Sequence, residues 1–95
     1  MKTSLTLTLL ILAGSATAAP AGDAAAGRAK AKACAACHGL DGKGRIHLAG
    51  KNADYLAAQL HAFKRGQRKS PMMNTLAGKL SDEDIADLAA YFAAQ

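Results

Sequence analysis

The sequence contains no Trp and no Val, and only two Tyr and two Phe in 95 residues. It therefore lacks the aromatics that, set among basic side chains, stack on single-stranded nucleic acid, and it carries no groove-reading motif in their place. No apolar run reaches the roughly 18 to 20 residues that a helix needs to span a bilayer. No Ser-His-Asp set and no paired carboxylates are discernible, so nothing supports hydrolytic or acid-base catalysis. The acids between Asp82 and Asp87 are accounted for by a helix start and a solvated face. There are only two Cys, Cys34 and Cys37; a disulfide between them would close a tiny loop and add little stability.

Large apolar side chains are scarce too. The hydrophobic share is 51%, but Ala supplies much of it, and a buried methyl removes little area from water. Beyond residue 18 there are 15 large apolar side chains, and none from Ala19 to Gly39. A domain this small buries only about 60% of its unfolded surface and commonly needs a staple. The expectation is that a cofactor supplies the missing bulk.

What is present begins with a processing signal. Lys2, the apolar run Leu5 to Ala13 and the small-residue stretch Ala16-Thr17-Ala18 have the order of a secretory signal peptide. Residues 1–18 are set aside on this basis, with the cut fixed to within a few positions, leaving 19–95 as one domain exported to the periplasm. That domain reads as all-α. Asp23 caps a first helix with Ala24, Gly27, Ala31 and Cys34 on one face, ending between Cys34 and His38. Leu40 to Lys51, with three Gly, is a loop. Asn52 caps a second helix bearing Leu56, Leu60 and Phe63, closed by Lys64, Arg65 and Gly66. Pro71 either starts a helical turn or holds the chain extended before Met72 and Met73. Ser81 and Asp84 form a capping box for a last helix with Ile85, Leu88, Ala89 and Phe92 in one stripe.

The chemistry sits in Cys34-Ala35-Ala36-Cys37-His38, a C-x-x-C-H run, the signature of covalent c-type haem attachment. Two sulfurs about one helical turn apart can form thioethers to the vinyl-derived carbons of one porphyrin edge, which sets the adjacent imidazole of His38 beneath the iron. A redox dithiol is the first competitor, but it normally lies near a βαβ pattern, absent here. A zinc site is the second; it wants four ligands and would have to recruit His47 or His61. A thioether from Met72 or Met73 is a reasonable sixth iron ligand, since it raises the reduction potential; on chemistry alone both Met side chains could equally fill the core.

Across residues 21–95 the chain resembles a class I cytochrome c, in particular one half of the dihaem cytochromes of the c-four type. The matching stretches are Ala21 to Ala24, Cys34 to Gly39 with Asp41-Gly42, Leu48-Ala49-Gly50, Tyr55-Leu56 with Gln59-Leu60, and Leu80-Ser81 through Asp84-Ile85 to Tyr91. The resemblance implies about four helices around one covalently attached haem c. It implies that the first and last helices cross at Gly27 and at Tyr91 or Phe92. It assigns His38 as proximal iron ligand and, eight positions before Ser81, Met73 as distal ligand, with Met72 the less favoured register. It also exposes a departure: the loop from Gly44 to Leu48 is short and has Ile46 where the family carries Pro. The Pro carbonyl accepts a hydrogen bond from the proximal imidazole, and the Ile46 carbonyl is expected to take that role. An altered proximal wall and a more exposed haem edge are expected with it. His47 and His61 are expected to be ordinary surface or outer-shell side chains.

The domain carries 11 basic and 7 acidic side chains. Lys64, Arg65, Arg68 and Lys69 cluster just before the Met segment and would steer an acidic redox partner toward the haem edge. The implied function is that of a soluble, monomeric electron carrier with His/Met-ligated iron, moving one electron between respiratory or other redox partners without acting as an enzyme. Two rivals share the haem: an enzyme or gas-binding module with an open iron position, and an electron-relay subunit of a larger complex.

Overall fold

The computed structural model describes residues 22–95 together with the isolated Thr3; the rest of the expected signal segment, and with it the cleavage site, lies outside the described residues. Every regular element among the described residues is helical: α1 (Ala24–Lys30), a 3-10 turn (Ala31–Cys34), α2 (Ala35–His38), α3 (Ala53–Lys64), α4 (Pro71–Gly78) and α5 (Asp82–Ala93). The backbone stays right-handed helical through Lys30, Ala31, Cys34 and Ala35, so α1, the 3-10 turn and α2 make one continuous arm. Four helical arms result, as expected from the sequence.

Three of the four arms start at a side-chain cap. Asp23 accepts hydrogen bonds from the N–H groups of Ala25 (2.9 Å) and Ala26 (3.3 Å), covering two of the donors that a helix start leaves unpaired. The Asn52 Oδ1 accepts from the Tyr55 N–H at 3.1 Å. At α5 the capping box closes in both directions, Asp84 N–H to Ser81 Oγ at 3.0 Å and Ser81 N–H to Asp84 Oδ2 at 2.9 Å. Pro71, whose role the sequence left open, takes the first position of α4, where its missing N–H would have had no helical partner anyway and its fixed φ suits the helix. Met72 and Met73 are thereby placed on the first turn of a helix.

α5 is the hub: it packs against α1 and α3, and α4 packs against α3. Ile85, Leu88, Ala89, Tyr91 and Phe92 are all buried, which completes the apolar stripe expected of this helix. The α1–α5 crossing is backbone on backbone. A Cβ on Gly27 would lie 2.0 Å from the Asp87 carbonyl oxygen and 2.7 Å from the Tyr91 Cβ, so only glycine permits this approach. Of the two aromatics proposed for the crossing, Tyr91 meets Gly27, while Phe92 turns toward the interior cavity.

One acidic residue departs from the solvated reading of the α5 acids. Asp87 is buried, at 4% exposure, because the α1 crossing lies over it. Its Oδ2 receives the Lys30 ammonium at 2.6 Å and its Oδ1 accepts from the Asp23 N–H at 2.8 Å. Lys30 also reaches Asp84 at 2.9 Å. The Lys30 hydrogen bond, followed by that from Asp23, holds the Asp87 carboxyl below its ordinary range. The Ser81 backbone N–H, ahead of Lys30, holds Asp84 at about 2. The two carboxylates in turn push the Lys30 ammonium up.

Candidate functional site

The C-x-x-C-H run occupies the end of the first arm and is fixed there by the loop that follows it. The Gly44 N–H donates to the His38 carbonyl at 2.8 Å and the Ile46 N–H to the Cys37 carbonyl at 3.0 Å, so residues 44–46 fold back over the motif. Gly44 is required for this: a Cβ there would lie 2.6 Å from both the Gly39 nitrogen and the His38 carbonyl carbon. The close approach brings the Ile46 carbonyl 2.9 Å from His38 Nδ1. A carbonyl only accepts, so Nδ1 carries the proton and Nε2 keeps its lone pair for a metal. The shortened loop thus supplies the acceptor expected at the position of the family's Pro.

His38 is buried and lines an interior cavity of about 610 Å³. Cys34 and Cys37 join it from α2 and the turn before it; Leu56, Leu60 and Phe63 come from α3, Met72, Met73 and Leu76 from α4, and Leu88 and Phe92 from α5. Met73 is half-buried whereas Met72 is 63% exposed. Burial pushes the Cys34 thiol up, the reverse of the lowered value that primes a redox dithiol for attack.

His47 is exposed and lies along the cavity lining. His61 does not reach the cavity; its Nδ1 stands 3.8 Å from Asp82 Oδ1. Among the described residues, no three His, Cys, Asp or Glu side chains gather in a way that would hold a bare metal ion.

The basic cluster predicted from residues 64–69 is divided by the fold. Lys64 donates its ammonium to the Leu80 carbonyl and, like Arg65, is not on the cavity lining, whereas Arg68 and Lys69 are. They are joined there by Lys30, Lys51 and Lys79, and among the described residues no acidic side chain lines the cavity. Three contributions escaped the sequence reading: the Gly44 contact, the buried Asp87, and the ring of cations. Only the first left a local trace, in the glycine density of the loop.

A haem fits this cavity: two thiols and an imidazole nitrogen reach it from the first arm, thioethers reach it from α4, and most of the remaining lining is aliphatic or aromatic. An all-helical frame of this size built around such a site defines the c-type cytochromes. Comparison with known proteins agrees. A family model described as cytochrome c oxidase, cbb3-type, subunit III, matches residues 20–92. Cytochrome c4 of Pseudomonas aeruginosa is 48% identical over an alignment covering the whole chain and 49% of that protein. Cytochrome c-554(548) of Halomonas halodenitrificans is 49% identical over 78% of the chain and 98% of its own length. The crystal structure of reduced recombinant cytochrome c4 from Pseudomonas stutzeri superposes with a TM-score of 0.74 at 41% identity, over 79% of this chain and 46% of that one. The chain belongs to the class I cytochrome c family and is similar to one half of a cytochrome c4. It spans about half the length of the cytochrome c4 relatives it matches.

Proposed function

We infer that this chain is a periplasmic one-electron carrier with a single haem c, joined through thioethers to Cys34 and Cys37 and ligated at iron by His38 and Met73. The observation that carries the reading is the convergence of these four side chains on one apolar cavity while the His38 Nδ1 is committed to the Ile46 carbonyl. When bound, the haem supplies an iron that changes charge by one unit without a bond being made or broken in a substrate.

The chain's own residues do the rest. The Ile46 carbonyl fixes the His38 ring and raises the basicity of its ligating nitrogen. Met73 supplies a soft thioether that favours the reduced iron and raises the potential; its partial burial supports it over the exposed Met72 as the ligand. Leu56, Leu60, Leu88 and Phe92 keep water away from the porphyrin faces. Lys51, Arg68, Lys69 and Lys79 at the rim make a positive mouth suited to an acidic redox partner. Among the described residues, no helix is long and apolar enough to cross a membrane, and the chain is taken to act as a soluble monomer.

The test is expression with haem-maturation machinery, followed by a denaturing gel stained for covalent haem and spectra of both redox states. A haem-stained band is expected, and a colourless one overturns the assignment. The oxidised spectrum should show a Met-to-iron charge-transfer band that Met73→Ala abolishes and Met72→Ala leaves intact. The opposite pattern reverses the register, and no band in the unaltered protein would favour an open-iron haem protein instead.

A further inference from the structure

α4 starts differently from the other arms. Ser70 stands at its N-cap position without a capping bond from its side chain, and Pro71 follows at the first helical position. The missing cap comes from inside the helix. Asn74 Oδ1 accepts the Ser70 N–H at 2.9 Å, and Asn74 Nδ2 donates to the carbonyls of Phe63 and Arg68, both at 2.8 Å. Two carbonyls at one end of the amide and an N–H at the other fix which way round it lies, and both of its N–H donors are used. One side chain thereby joins the last turn of α3, the connecting turn and the start of α4.

The start of α4 is also where the thioethers are. Met73 is half-buried on the cavity lining, while its neighbour Asn74 is not on that lining. Apolar burial contributes little to holding this turn: Pro71 and Thr75 are exposed, Met72 is 63% exposed, and Ala77 is the one fully buried residue of the helix. A turn with so little apolar cover sits at the low-stability end of a fold and depends on its hydrogen bonds for its position.

We propose that Asn74 is the latch of the sixth-ligand position: the Met73 thioether leaves the cavity only when the amide's bonds to Phe63, Arg68 and Ser70 give way. The proposal rests on the His38/Met73 haem reading above. Asn74 touches nothing in the cavity and is a positioning residue. Its consequence is selectivity, because each opening of the turn exposes a binding-competent minor state, and the latch keeps that state rare. A chain with the latch intact passes electrons and excludes small ligands; without it the same chain takes them up.

Imidazole reports the opening, since its nitrogen occupies the position that the Met73 sulfur vacates, with no electron gained or lost, and the Met-to-iron band disappears as it binds. Its affinity is measured on the oxidised, matured protein and on Asn74→Ala, Asn74→Asp and Gly27→Ala, each checked first for covalent haem. Asn74→Ala is expected to bind imidazole roughly tenfold more tightly, through the lost hydrogen bonds. Asn74→Asp keeps the size and the acceptor for Ser70 but turns a carboxylate toward two carbonyls, and is expected to bind at least as tightly as the Ala variant. Gly27→Ala strains the α1–α5 crossing without touching this turn and is expected to leave the affinity unchanged.

Equal affinities in the unaltered protein and the Asn74 variants overturn the proposal. An Asp variant that behaves as the unaltered protein overturns it as well, because the two donated bonds would then hold nothing. The same tightening in Gly27→Ala does so too, since it reduces Asn74 to a general brace. Hydrogen exchange on the unaltered protein needs no variant to fold: the Ser70 amide is expected to be protected alone and to lose protection when imidazole is bound. Retained protection would mean that the thioether swings away under an intact latch, which also overturns the proposal. An unaltered protein without covalent haem, or with haem but no Met-to-iron band, instead defeats the reading on which the proposal rests.

Discussion

The two sides of α5 are built on different principles. Toward α1 the helices meet backbone to backbone at Gly27, and a buried acid ties Lys30 to the Asp23 N–H. That side is closed by the protein's own atoms. Toward α3 and α4 the apolar positions Leu60, Phe63, Met73 and Leu76 are only half-buried and line the cavity. One side is specified by close fit and the other by complementarity to a bulky apolar group. A chain with 15 large apolar side chains beyond residue 18 can close one such interface by itself, using glycine and alanine, and assigns the second to a cofactor.

The comparison breaks most completely if the cofactor is withheld. Cys34→Ser with Cys37→Ser is expected to abolish covalent haem and to produce the largest loss of stability, because the cavity is left without the group that fills it. Hydrogen exchange should show protection lost first in α3 and α4 and last across the α1–α5 crossing; uniform loss would mean that the two sides form one cooperative unit. Next in size, Gly27→Ala forces a methyl against the Asp87 backbone and is expected to cost roughly 3 kcal/mol by denaturant unfolding. A cost near zero would show that the helices can part without loss.

Asp87→Asn has a smaller effect and a pH signature. Asp84 and Asp87 have lowered values in the folded chain, so the stability they contribute is present above the unfolded carboxylate value of 3.8 and is lost as pH falls through the folded ones, about 2 for Asp84. Lys30 is raised, so its share is complete below its ordinary 10.5 and is lost as pH rises above that value through the folded one. Acid unfolding of the unaltered protein is therefore expected to steepen below 3.8, and Asp87→Asn should flatten that limb while leaving behaviour around neutral pH level. An unchanged acid limb would contradict the burial argument. The smallest effect is expected at Gly78, where a Cβ meets nothing within 4 Å. Gly78→Ala should stabilise the end of α4 by about 0.5 kcal/mol, in contrast with the same change at Gly27.

Much of this was legible from residue order. The caps at Asp23, Asn52 and Ser81 act on N–H groups two or three residues away, so composition and spacing were enough to find them. The cavity-facing residues of α3, Leu56, Leu60 and Phe63, followed from helical periodicity for the same reason. The buried state of Asp87 did not, since its position after three helix-start acids is equally compatible with a solvated face. What buries it is the α1 crossing, 64 residues away along the chain at Asp23. Of the basic cluster only the charge was evident: the turn after α3 sends Arg68 and Lys69 to the cavity and Lys64 to the Leu80 carbonyl.

By itself the sequence determined three capped helices, the two thiols and imidazole at the end of the first, and the need for bulk that its own side chains lack, because each follows from interactions within about one helical turn or from composition. The tertiary structure decided that Pro71 starts a fourth helix, which acid is buried at the crossing and which cations reach the cavity. Those outcomes depend on where distant segments pass one another, and no local spacing encodes that.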